Sequence, residues 1–384
     1  MMHQCLKLCA AAVGVSLLLA LPGCGGQGEP GGPQPTDPTH IYRQVQDNLL
    51  IDAEVKGPPE GTVPKVYVGE ANIFTQEKVN AFLAWSGDEI AEVTLDIGDD
   101  TKHQSVATCR SGARLANSFS LNNPPSSAFD YKSVESMERY IAYPLSRTQQ
   151  DYEECSAHRS GRRITYLFEE PTELSFATAQ ETEGKVREAL STLGLEDLIL
   201  NRTLYLSHDR MEEAGWILQG EEWAHQAKGG ETATFPQWDD WSEAHDCYLF
   251  EFFCGVDNVP MSYHTLDNST TIVPSTDIVV YYTRQGIVGL NIMWPWSACE
   301  VAETPERTLS ATEALQRVQE RLENTISSQM RTVERVELIY LCKQDGDRWL
   351  LRPVWEISVW QSGSNDYEQK YTYIRIDAIT GEEY

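Results

Sequence analysis

Residues 8–21 form an apolar run broken only by Ser16, and the run ends at Leu21-Pro22-Gly23-Cys24. It is 14 residues long, with Lys7 just before it. A membrane-spanning helix needs ~20 apolar residues, whereas the core of an export signal needs ~7–15. The run therefore reads as a removable signal peptide over residues 1–23. Gly25–Thr39 follows with five glycines and four prolines in 15 residues and no apolar periodicity. Such a stretch cannot pack, so residues 24–40 read as a tether. Any core has to be built from residue 41 onward.

The remaining chain is long enough for two or three domains of ordinary size. Apolar residues make up 41% and aromatic residues 10% of the chain, a composition that folds. The formal charge is −28, and Lys7 is the one charged residue in 1–23, so its loss gives −28 − 1 = −29. A surface of that sign repels nucleic-acid phosphates and anionic lipid headgroups. Nucleic acid is excluded as a partner.

Three helices are written into the chain. Thr75 is an N-cap ahead of Gln76–Trp85, where Val79, Phe82 and Leu83 share a face and Gly87 supplies the stop. Ser175–Leu193 places Val186, Ala189, Leu190 and Leu193 on one side, ahead of Gly194. Ser310 and Glu313 form a capping box for a helix with the stripe Leu315, Val318, Leu322 and Ile326. Alternating or β-branched runs predict strands at Ile41–Val55, Lys65–Val68, Glu89–Ile97, Arg162–Phe168, Leu198–Leu206, Gly215–Leu218, Tyr248–Cys254, Asp277–Tyr282, Ile287–Trp294, Val333–Cys342, Arg348–Trp360 and Tyr371–Asp377. Pro353 points to an edge or a bulge within its strand. Asp99–Tyr131 reads as loop-rich around Asn122-Asn123-Pro124-Pro125, and Ser133–Tyr140 as a short helix.

A helix followed by strands recurs three times. The expected fold class is α+β: antiparallel sheets each carrying a packed helix, in two or three helix-plus-sheet units. The expected divisions are 41–170, 171–304 and 305–384.

No nucleophile elbow, phosphate-binding loop or dinucleotide fingerprint occurs, and no cofactor is expected. Cys109, Cys155, Cys247, Cys254, Cys299 and Cys342 permit disulfides in an exported chain, with fifteen complete pairings open. Cys247 and Cys254, seven apart on one strand, point to opposite faces. The densest polar group is Asp239, Asp240, Glu243, His245 and Asp246, whose spacing matches no metal-binding motif and reads as a solvated acidic loop. The aromatic stretches Trp216–Trp241, Met293–Trp296 and Trp349–Trp360 read as core in preference to a ligand groove.

Leu21-Pro22-Gly23-Cys24 resembles a bacterial lipobox. That resemblance implies a diacylglycerol on the Cys24 thiol, cleavage before Cys24, and a lipid-anchored protein on the extracytoplasmic face of the membrane. Ser310–Glu383 resembles a PepSY-type domain through the helix Thr312–Ile326, the strands around Tyr340 and Trp355, and the ending Ile376-Asp377-Ala378-Ile379-Thr380-Gly381-Glu382. The layout is similar to that of Firmicutes lipoproteins and of the extracytoplasmic regulators YycH and YycI, which use a membrane helix in place of a lipobox. These resemblances imply a non-enzymatic binding or regulatory module that meets a membrane or cell-wall protein. A solute- or glycan-binding lipoprotein and a cell-wall-acting enzyme are the alternatives.

Overall fold

The computed structural model describes residues 38–58, 62–122, 124–134, 167–220, 225–226, 232–233, 240–262, 276–325, 327–362 and 370–384. The signal peptide, Cys24, the tether up to residue 37, Cys155 and Asp239 lie outside them. So do the expected helix at 133–140 and strand at 162–168, apart from two residues of each, and the side chains of residues 216–239.

In chain order the first strands are β1 (His40–Gln46), β2 (Leu49–Lys56), β3 (Val66–Ala71), β4 (Ile90–Gly98), β5 (Lys102–Cys109), β6 (Arg114–Ser120), β7 (Ser126–Lys132) and β8 (Leu198–Leu206). Then come β9 (His225–Gln226), β10 (Thr232–Ala233), β11 (Cys247–Val256), β12 (Val259–Pro260), β13 (Asp277–Thr283), β14 (Gly286–Met293) and β15 (Trp296–Glu303). The last are β16 (Arg331–Asp345), β17 (Arg348–Gln361) and β18 (Lys370–Asp377). The helices are α1 (Gln76–Ser86), α2 (Ala179–Thr192), α3 (His208–Gly220) and α4 (Ala311–Glu323).

Strands dominate, and they form two large sheets. The first has the order β1-β2-β16-β17-β3-β15, with β18 also on β17. Its β2–β16 pair is parallel and its other pairs are antiparallel. The second is antiparallel, in the order β11-β13-β14-β7-β6-β5-β4, with β8 and the short β12 also on β11.

This overturns the expected α+β class of helix-plus-sheet PepSY-like units. The C-terminal strands do carry α4, but β16 pairs with β2 through Arg331↔Leu49, and β17 takes β3 at Leu350↔Val68. A pairing between residues almost 300 positions apart leaves no local trace, so hairpins that look self-contained in sequence are completed by the other end of the chain. The stretch expected to be loop-rich, Asp99–Tyr131, instead carries three strands, β5, β6 and β7. They are rich in Ser, Asn and Thr, which masks the alternation of Ala107, Leu115, Phe129 and Tyr131 toward the core.

The local signals behave as their chemistry requires. Ser310 Oγ accepts from Glu313 N at 3.2 Å while the Glu313 carboxylate accepts from Ser310 N at 2.8 Å. Gly87 and Gly194 close α1 and α2 at φ of 73° and 78°, a left-handed backbone that glycine adopts without a Cβ penalty. Pro353 lies in an interior strand, not at an edge or a bulge. It sits where the neighbour of β17 changes from β3 (through Leu351) to β18 (from Val354), so its missing N–H removes no ladder bond.

One contiguous core runs from α4 on the first sheet to α1 and α2 on the second. All ten residues of β11 are buried. Tyr248, Phe250, Phe252 and Cys254 join that core, while Cys247 and Leu249 point the other way, into a second cluster with Met211 and Ala214 of α3 and with Phe168. Cys247 and Cys254 therefore face opposite sides of β11. Asn72, nearly buried just after β3, ties the sheets together. Its Nδ2 donates to Leu193 O and Gly194 O at 3.3 and 3.0 Å, its N donates to Pro295 O at 2.9 Å, and its O accepts from Ser127 Oγ at 2.5 Å.

Candidate functional site

Among the described residues, two polar networks and one exposed, acidic strand edge stand out. The first network lies on the face of the first sheet opposite α4. There Glu356 and Arg375, and Arg352 and Asp377, meet near Ile339, Leu341, Val354 and Phe253. Asp377 accepts from Arg352 Nε at 3.0 Å, from Tyr384 OH at 2.8 Å, and from the N–H groups of Ile379 and Thr380 at 2.8 Å each. Burial alone would raise the Asp377 carboxyl. The Thr380 N–H, Arg352 and Tyr384 outweigh it and hold the pKa below the usual carboxylate value. Gly381 stands at φ 73° with Arg317 donating to its carbonyl at 3.2 Å. The ending Asp377-Ala378-Ile379-Thr380-Gly381 is thus a turn satisfied by its own aspartate.

The second network sits where α3 begins. His208 Nδ1 lies 2.8 Å from Asp246 Oδ1, which also accepts the His208 main-chain N–H at 2.8 Å. His208 Nε2 lies 3.3 Å from Asp209 Oδ1. The hydrogen bond to Asp246 raises the His208 pKa, against burial and with the charges of Asp209 and Glu243 adding to it. Both ring nitrogens therefore face carboxylates, and the cluster acts as a clamp on the helix start. Asp246 is thereby separated from the acidic loop it was grouped with: His245 Nδ1 turns to Ser242 N at 3.2 Å. Among the described residues no three His, Cys, Asp or Glu side chains gather closely enough to hold a metal ion.

The described cysteines, Cys109, Cys247, Cys254, Cys299 and Cys342, are free thiols. Burial pushes Cys109 and Cys254 up to about 11. Cys299 is exposed, and desolvation together with Glu70 and Glu300 raises it to about 11 as well. None of these is an activated nucleophile. The described aromatics largely serve the core. Trp355 is buried with Nε1 donating to Leu309 O at 2.8 Å, and Trp296 packs on Trp349 at 5.5 Å between ring centroids.

The open edge is β4, the last strand of the second sheet. Among the described residues it pairs with β5 and with nothing on its outer side. All of its residues except Ile90 and Leu95 are exposed, and Val93 and Ile97 stand out at 52% and 54%. The sequence marks Ile90, Val93, Leu95 and Ile97 as the apolar positions of a strand. Their periodicity carries no sign that the strand is terminal, because that depends on which strands pair beyond it. His208 with Asp246 was equally invisible, the two being 38 positions apart.

No protein-family model matches the chain, and no curated protein does. Among solved structures it is similar to an uncharacterized protein from Eubacterium rectale, with a TM-score of 0.58 and 19% identity over 90% of this chain and 93% of that one. At that identity the likeness speaks for the fold alone.

Proposed function

We propose that this chain is a bacterial lipoprotein, held on the extracytoplasmic face of the cell membrane by lipid on Cys24, where it binds another protein and catalyses no reaction. The observation that carries the reading is the junction itself. A 14-residue apolar run meets Leu21-Pro22-Gly23-Cys24, and a Gly/Pro tether follows at once. Multiple acyl chains give stable anchoring where one is marginal. The strong negative charge makes the lipid, not the protein surface, the anchor. The partner is a membrane or cell-wall protein. The binding role draws support from the exposed apolar edge of β4 and from the buried ionisable groups, whose bonds hold strands and helix ends in place.

The test is metabolic labelling with a fatty acid. Label should enter the native chain and be absent from Cys24→Ser, which should also leave the membrane fraction. Equal label on both proteins contradicts the anchor.

A further inference from the structure

We propose that the outer side of β4 docks an extended, basic segment of another protein, which continues the second sheet as one more strand. This rests on the reading that the protein binds a protein partner, and it names the site and the chemistry of what is bound.

An unpaired strand edge presents a row of backbone donors and acceptors ready to pair with another chain. Register shifts in β4 fall between Ile90 and Glu92 and between Val93 and Leu95. From Leu95 to Gly98 the ladder with β5 is unbroken, through Leu95↔Val106, Asp96↔Ser105, Ile97↔Gln104 and Gly98↔His103. That regular stretch is where a further strand can continue the sheet.

The edge is held ready at both ends. Beyond Gly98, Asp99 Oδ1 accepts from Thr101 N at 2.7 Å, Thr101 Oγ1 at 2.6 Å and Lys102 N at 3.1 Å, and Asp99 N donates to Lys102 O at 2.7 Å. At the other end Arg110 N donates to Glu89 O at 2.8 Å, and Ser111 N donates to Asp88 Oδ1 at 3.2 Å. A strand so fixed loses little conformational freedom on binding.

Charge selects the occupant. Asp88, Glu89, Glu92, Asp96, Asp99 and Asp100 surround the edge. Glu89 is engaged by Arg110 and Asp96 by His103, while Glu92 and Asp100 have no ion-pair partner among the described residues. A second copy would set these carboxylates against each other. A basic segment neutralises them, and its apolar residues cover Val93 on one face and Ile97 on the other. The first sheet ends at β1 and β15, and β1 differs from β4: Arg43 and Gln46 are tied to Gln319 and Glu323 of α4.

The test uses the full-length chain and three synthetic peptides: an eight-residue alternation of lysine and valine, its glutamate–valine counterpart, and the lysine–valine peptide N-methylated at alternate residues. The lysine–valine peptide should bind and slow amide exchange in β4, and the other two should bind at least tenfold more weakly. The Glu92→Lys/Asp100→Lys variant, altered only at exposed positions, should keep its thermal stability and lose about fivefold in affinity for the lysine–valine peptide. Equal binding of the methylated or the acidic peptide, or protection at β1 or β15 in place of β4, overturns the proposal. The peptide result is independent of acylation at Cys24, so failure of the edge and failure of the anchor are told apart.

Discussion

Glu356 and Arg375 stand directly opposite each other in the β17–β18 ladder, with Arg375 Nη2 2.7 Å from Glu356 Oε2 and the two side chains 3% and 1% exposed. Two charges taken so far out of water are stable only as a pair. Removing one partner leaves the other buried and uncompensated. Glu356→Gln should therefore cost about 3–5 kcal/mol. Replacing both residues with Leu and Met should cost much less. Urea midpoints of the single and double variants check this, and equal losses in the two would contradict it.

Asp377 gives the acid side of the stability profile. Its folded pKa is depressed, so its contribution is complete above the unfolded value of about 4 and is lost as pH falls through the folded one. Asp377→Asn should be less stable than the native chain at neutral pH, and the gap should close as pH falls below 4. Unfolding curves across pH 2–7 would show a constant gap if the carboxylate contributed nothing.

His208 works in the opposite sense. Its folded pKa is raised by Asp246, so its contribution is complete below the ordinary histidine value of 6.5 and is lost as pH rises through the folded value. Asp246→Asn keeps an acceptor for the His208 N–H and removes the charge. It should flatten the decline in stability above neutral pH. NMR titration of the His208 ring should read a pKa above 6.5 in the native chain and a lower one in the variant.

Gly98 tests the hairpin beneath the proposed docking edge. It stands at φ 130°, and a Cβ there would lie 2.0 Å from Lys102 O. Gly98→Ala should cost about 1–3 kcal/mol, because backbone, not a mobile side chain, is in the way. Amide exchange should speed up through β4 and β5 while β16 and β17 keep their protection.

Local chemistry was readable in the sequence, and long-range pairing was not. Thr75, Gly87, Ser310 with Glu313, and Gly194 announce helix ends because each satisfies backbone groups within a few residues. The strands β8, β11, β13, β14, β16, β17 and β18 stand near where alternation puts them. The strand expected at Gly215–Leu218 is instead the end of α3, a helix whose residues His208–Gly220 carry little apolar periodicity and whose packing is set by β11. The fold class of separate helix-plus-sheet units failed at the parallel contact of β2 with β16. The candidate edge was half legible: Val93, Leu95 and Ile97 mark a strand, while its terminal position depends on β5, β6 and β7 lying within a stretch that reads as loop.

The proposed anchor and edge meet in one experiment on living cells, with a photo-crosslinking residue placed at Ile97 or, as the control, at exposed Tyr42 of β1. Crosslinking at Ile97 should yield a discrete protein adduct in the membrane fraction, absent at Tyr42 and lost when Cys24→Ser releases the chain. No adduct at Ile97, or the same adduct from Tyr42, would contradict a surface lipoprotein that binds its partner through β4.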